Sequence, residues 1–359
     1  MLFVIIFIIC LNILVFVHEL GHFLVAKKNG LKVEEFGMGI PPRIFGIKKG
    51  ETLYSLNALP IGGFVRIYGE DGAHPEEKNS FASRPPLTRA KILIAGIVMN
   101  LIFGIMLFIV GLNIGIPTVV DEKNIAYVKD IKLSVLQVQK DSPAEAVGIK
   151  MGDRILKISY ADKEILNPSV EELQRFSKEY VGKEITMQIE RGNKNLEIKI
   201  TPRETKDENQ GALGVVIGET GFLRYPFFKS VWEGIRYALG LFVNIFVMIF
   251  VFLKSLIFQG KMLGEVAGPV GITVLGSETL KLGIGYFLQF LATLSVYLAA
   301  INLVPFPALD GSRIVFTILE KIRGKAVPPK VENLIHSIGF AILLLIFFVI
   351  TYKDIAKLF

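Results

Sequence analysis

The chain has 359 residues, of which 52% are hydrophobic and 20% charged, a balance that excludes a simple soluble domain and predicts a protein crossing a membrane several times. The formal net charge of +7 does not point to nucleic acid, because the lysines and arginines flank the hydrophobic runs, as they do in loops facing the cytoplasm. Cys10 is the only cysteine, which excludes an intrachain disulfide.

The first hydrophobic run covers residues 2–26, and before residue 18 it holds one polar side chain, Asn12, and no charge. It lacks the basic start of a cleavable signal peptide, so it is expected to be retained. Near its end stands His18-Glu19-Leu20-Gly21-His22. On a helix, positions i and i+4 share a face, so both histidines can reach one metal ion, and Glu19 beside them can take a proton from an attacking water. The pattern HExxH also arises by chance, and a histidine pair can simply pack in a core. Ionisable groups inside a bilayer are costly, however, and mark function. Three of them within five residues need a compensating partner, which a divalent cation supplies.

Residues 27–91 form a connection with Lys27, Lys28 and Lys32 at its start and Arg84, Arg89 and Lys91 at its end, which places it in the cytoplasm. Within it, Thr52–Leu56 and Phe64–Tyr68 read as strands joined through Pro60-Ile61-Gly62-Gly63. The HExxH residues inside an apolar run point to peptide-bond hydrolysis within the bilayer. A substrate there would be a helix whose carbonyls are already bonded internally and would have to be held extended. A strand edge here can supply the missing partners by β-addition, with Gly62 and Gly63 as candidate contacts. The alternative is a hairpin with a structural role alone. The second run, 92–116, then returns outward.

Residues 121–225 differ in composition and read as a separate extracytoplasmic α+β domain. The segments 131–135, 185–189 and 196–200 alternate with period two. Asp141–Gly148 reads as a short capped helix, and Ser169-Val170-Glu171-Glu172 as a capping box opening another. The string from Asp141 to Ile158 looks like a PDZ domain, a module that adds an extended peptide to a sheet edge and holds its C-terminus.

Three further runs follow, 238–258, 284–306 and 334–352. Arg313, Lys321, Arg323, Lys325 and Lys330 place the end of the 284–306 run in the cytoplasm, so it must run parallel to the first. That parity predicts four crossings, with 238–258 a re-entrant, interfacial or bundle-packed helix. In Asn302-Leu303-Val304-Pro305-Phe306-Pro307-Ala308-Leu309-Asp310-Gly311, the two prolines break the helix and free backbone that must be buried in protein. Asp310 can then turn toward the histidines as the third metal ligand. Asp-Gly is also a common turn pair, and His336 is a second candidate ligand.

Together these segments resemble the site-2 protease family of intramembrane zinc metalloproteases, in its bacterial form with a single PDZ domain. The likeness runs over almost the whole chain. It rests on His18–His22, the stretch from Phe81 to Asn100, the PDZ segment, Gly268-Pro269-Val270-Gly271-Ile272 and the Asn302–Gly311 motif. It implies Zn2+ on His18, His22 and Asp310, Glu19 as general base, and Asn302 near the reacting carbonyl, with Pro305 and Pro307 in the substrate-binding motif. One departure is Ile97, where relatives often carry proline after the glycine at 96. The expected architecture is therefore a polytopic α-helical membrane protein with about four spans and an inserted extracytoplasmic PDZ domain. Its expected divisions are 1–120, the membrane half with the metal motif; 121–225, the PDZ domain; and 226–359, the second membrane half. The resemblance implies a multi-pass protein of the bacterial inner membrane that cuts single-span, anti-sigma-factor-like substrates already trimmed by an upstream site-1-type protease. Membrane lipid is a partner and nucleic acid is not. The alternatives are a protease of remnant signal peptides and a non-catalytic PDZ adaptor.

Overall fold

The computed structural model describes residues 2–192, 194–204, 211–259 and 268–356. The chain divides into two compact units, one of residues 1–109, 231–280 and 290–359, the other of residues 110–230 and 281–289.

The first unit begins with α1 (Leu2–Lys28), uninterrupted because a backbone in lipid must satisfy its own hydrogen bonds. Two long strands follow, β1 (Val33–Lys49) and β2 (Thr52–Ile67). The two segments expected to face one another across 60–63 both belong to β2. The stretch between them in space comes from β1, where Phe36 pairs with both Tyr54 and Val65, and Met38 with both Leu56 and Gly63. That strand is obscured in the sequence by Gly37, Gly39 and the prolines at 41 and 42, which depress any strand reading. Asn12 donates to the Pro60 carbonyl at 2.7 Å, so the one polar side chain early in α1 ties the turn of β2 to that helix. Next comes α2 (Pro86–Ile114), opened by proline at its first position.

The second unit is built on a seven-stranded sheet. Its members are β3 (Ile116–Val119), β4 (Val128–Val138), β5 (Arg154–Tyr160), β6 (Lys163–Leu166), β7 (Ile185–Arg191), β8 (Lys194–Ile200) and β9 (Val215–Leu223). They run in the order β3-β9-β4-β5-β7-β8, with β6 beside β5. Among the described residues, two α-helices lie between its strands. The short α3 (Pro143–Ala146) is capped by Ser142, and α4 (Val170–Glu179) opens with the Ser169–Glu172 capping box. Alternation places Ile185, Met187 and Ile189 in the core, packed with Leu173 and Phe176 of α4. Asp153, almost fully buried, receives two hydrogen bonds from Arg191, at 2.6 Å each.

The remaining helices are α5 (Phe227–Gln259), α6 (Pro269–Leu282), α7 (Ile284–Leu303), α8 (Asp310–Arg323) and α9 (Pro329–Ala356). Among the described residues, five helices are long and apolar enough to cross a membrane, namely α1, α2, α5, α7 and α9. The run 238–258 is thus the C-terminal part of a continuous 33-residue helix that meets the same standard as the four expected spans.

Helix directions follow from contacts. Ser295 of α7 donates to the Asn100 carbonyl of α2, and a β-carbon on Gly104 would meet the Ala292 carbonyl at 3.2 Å. As α2 advances, its partners on α7 recede, so the two are antiparallel. His22 of α1 lies against Ile92 of α2, and His18 against Asn100, so these helices are antiparallel too. Hence α1 and α7 run the same way, as the charge pattern requires.

Candidate metal centre

The helices α1 and α2 approach through two glycines. A β-carbon on Gly21 would lie 2.7 Å from the Ala95 carbonyl carbon and 2.8 Å from Met99 Cγ. One on Gly96 would lie 2.7 Å from His22 Cε1 and 2.9 Å from His18 Cε1, with His22 Nε2 closer still. Gly96 is therefore the floor on which both imidazoles rest, a role closer to the chemistry than helix packing alone. Ile97, the departure from the usual proline, is buried in the hydrophobic cluster around Ile92 and Leu93.

Asp310 arrives from the other side. The helix α7 ends at Leu303, ahead of Pro305, and α8 starts at Asp310 after an irregular turn. Gly311 lets α8 begin against the end of α7. A β-carbon there would lie 2.6 Å from the Leu303 carbonyl carbon and closer still to the carbonyl oxygens of Leu303 and Val304. Three residues along α8, the half-buried Arg313 pairs with Glu70 of the loop after β2. Burial works against the charge of Arg313, but Glu70 and then Asp310 more than offset it and raise its pKa. Arg89 of α2 holds Glu320 of α8 at 2.5 Å.

At the meeting point His18 Nε2 lies 3.1 Å from Asp310 Oδ2, His22 Nε2 lies 3.3 Å from the same oxygen, and the two Nε2 atoms are 3.2 Å apart. Atoms about 2.1 Å from a tetrahedral zinc ion stand about 3.4 Å from one another, so the spacing suits that ion. The donor chemistry suits it as well. His22 Nδ1 lies 2.9 Å from the Ile92 carbonyl, which can only accept, so Nδ1 carries the proton and Nε2 offers a lone pair. His18 Nδ1 lies 3.5 Å from the amide of Asn100, a fully buried side chain whose Oδ1 has no partner. Turned over, that amide brings Oδ1 to His18 Nδ1–H, which satisfies the orphan and leaves the second Nε2 free. Two lone pairs and a carboxylate then converge on one point, an arrangement that could hold a divalent cation.

A cavity of about 240 Å³ adjoins this point. His18, Glu19 and Asp310 line it, together with Asn302, Asn100 and Ala308. Gly63 is next to Glu19, since a β-carbon there would lie 3.5 Å from Glu19 Cγ. Gly62 has positive φ and open space around it. Pro305 is exposed and Pro307 packs against Gly339, and neither lines the cavity. His336 is not one of the converging groups; its Nδ1 accepts from the Ala308 amide at 3.0 Å. Sequence reasoning missed Asn100 and Ala308. An amide inside an apolar run, four residues after Gly96, was a signal for the first; nothing marked the second.

The profile of peptidase family M50 matches residues 6–346. The chain belongs to that family. As an M50 peptidase it is a zinc metalloprotease of the site-2 protease type, and the relatives named below match along nearly their whole length. A candidate zinc metalloprotease of Clostridium acetobutylicum is 32% identical over 98% of this chain and 97% of its own. The zinc metalloprotease RasP of Oceanobacillus iheyensis is 30% identical over 99% of each chain. The regulator of sigma-W protease RasP of Bacillus subtilis is also 30% identical over 99% of each.

Proposed function

We propose that this M50 peptidase cleaves transmembrane segments of single-span proteins, with His18, His22 and Asp310 as its zinc ligands and Glu19 as its general base. One observation carries the reading: the three converging ligand atoms form part of a cavity that Glu19 and Asn302 also line, among helices apolar enough to cross a membrane. A bound zinc ion supplies Lewis acidity to the scissile carbonyl and to the attacking water. The chain's own residues do the rest. Glu19 takes the proton from water and returns it to the leaving amine. Asn302 holds the substrate carbonyl, while Asn100 and the Ile92 carbonyl keep the two imidazoles turned toward the ion. The edge of β2 from Gly63 to Ile67, paired with β1 on its other side, supports an extended substrate beside the base.

The second unit supports a PDZ-type role. The Val215–Gly218 part of β9 pairs with β4, while β3 takes up only Thr220–Leu223. A cavity of about 310 Å³ lies between this open edge and α4, lined by Leu173, Ser177, Lys178, Leu213, Val215 and Ile217. An apolar C-terminal residue, as left by a prior cut, suits that lining. The unit is assigned to the extracytoplasmic side and the metal centre to the cytoplasmic side of a bacterial inner membrane, from the charge pattern of the loops. The sigma-W name of the Bacillus relative supports substrates of the anti-sigma-factor kind, trimmed first by another protease. The test is cleavage of a single-span substrate in liposomes by wild type and Glu19→Gln. Cutting within the span that the substitution abolishes is the expected result, and equal cutting by both overturns the reading.

A further inference from the structure

We infer that α9 is a positioning element for Asp310, gripping the Pro307–Ala308 turn at two points through His336 and Gly339. The inference rests on Asp310 being a metal ligand.

Between α7 and α8 the backbone has few ways to hold itself. Pro305 and Pro307 carry no amide proton. The amides of Val304, Phe306 and Leu309 bond to carbonyls at Ile301, Val304 and Phe306, all within the turn's own neighbourhood. The Ala308 amide reaches instead across 28 residues of sequence to His336 Nδ1, at 3.0 Å. Ala308 also has φ +77°, a left-handed conformation that an L residue with a β-carbon adopts only when its surroundings impose it. Asp310 follows two residues later.

The second grip lies one helical turn along α9. A β-carbon on Gly339 would sit 2.7 Å from the Pro307 carbonyl oxygen and 2.8 Å from its carbon, so α9 reaches the turn only because residue 339 is glycine. Phe316 of α8 closes on the imidazole edge-on, with centroids 5.9 Å apart. An Nδ1 that accepts from an amide is unprotonated, so the hydrogen bond also fixes the tautomer of His336. His336 therefore acts through the Ala308 backbone on the placement of Asp310.

The test is zinc affinity, measured by chelator competition on the full-length protein in detergent, with Asp310→Ala as the variant lacking a ligand. His336→Phe keeps the ring shape and loses the acceptor; it is expected to weaken zinc about tenfold or more. His336→Asn keeps an acceptor near the Nδ1 position and is expected to stay within about threefold of wild type. Adding Ala308→Gly to His336→Phe is expected to recover most of the loss, since glycine takes positive φ without strain. Gly339→Ala, which leaves the imidazole in place and displaces Pro307, is expected to weaken zinc as His336→Phe does. Wild-type affinity in His336→Phe, or equal loss in the Phe and Asn variants without recovery by Ala308→Gly, would overturn the role of His336. Wild-type affinity in Gly339→Ala would overturn the second grip. Equal zinc binding by wild type and Asp310→Ala would instead overturn the ligand assignment on which the inference rests.

Discussion

His18 Nε2 and Asp310 Oδ2 lie 3.1 Å apart although 292 residues separate them in sequence. The contact is possible because α1 and α7 run in the same direction, each antiparallel to α2, so that their distal ends share a depth. The proline-broken turn after α7 then aims Asp310 back at α1.

Glu19 is the one acid in the cavity that the converging triad does not use. Glu19→Gln keeps the shape and removes the proton acceptor. Cleavage of a single-span substrate should fall about a hundredfold or more. Zinc content of the purified variant should be unchanged, which separates loss of the base from loss of the metal.

Gly96 has no room for a methyl group, because the imidazoles of His18 and His22 occupy it. Gly96→Ala should displace both rings and weaken zinc about ten- to a hundredfold, the range seen when ligand orientation is disturbed. Gly104→Ala offers a comparison. It crowds Val296 at a similar distance but away from the histidines, and should lower the melting temperature with little effect on zinc affinity.

The buried Asn100 amide separates two roles. Asn100→Leu removes the partner of His18 Nδ1–H and should cost about tenfold in zinc affinity. Asn100→Asp retains an acceptor there and should bind zinc better than the leucine variant. Chelator competition on both variants measures the difference.

Glu70 and Arg313 join the loop after β2 to the helix that begins with Asp310. The pair is half-buried, so solvent screening keeps its worth near 1 kcal/mol. Glu70→Gln and Arg313→Gln should each lower stability by about that amount, and Glu70→Arg with Arg313→Glu should recover part of it. Denaturation of these three variants, and of Glu70→Gln combined with Arg313→Gln, against wild type checks this, with non-additivity as the signature of a direct pair.

The groove between α4 and the open part of β9 gives a binding prediction. Peptides with an apolar C-terminal residue should bind the full-length protein, and Val215→Asp, at a half-buried position of the lining, should weaken them about tenfold by placing a charge there. Amidation of the peptide C-terminus should weaken them as well. Fluorescence anisotropy with labelled peptides reads both effects.

Local signals made much of this protein legible. Long apolar runs mark helices because lipid leaves the backbone no other partner, and the i, i+4 spacing of His18 and His22 sets them on one face whatever surrounds them. The Ser169–Glu172 cap and the alternation of 185–189 are equally local and appear as read. The strand reading of 27–91 went astray because pairing is not local. Thr52–Leu56 and Phe64–Ile67 belong to one strand, and the stretch between them comes from a glycine- and proline-marked segment whose pattern shows little on its own.

The sequence by itself determined the apolar runs, the paired histidines and the acid beside them, because each follows from composition or spacing within one element. The tertiary structure alone decided that Gly96 is the floor under both imidazoles, that Asn100 faces His18, and that His336 turns to Ala308 instead of the triad. Those relations depend on which helix faces which and how closely, and that is set by packing among residues distant in the chain.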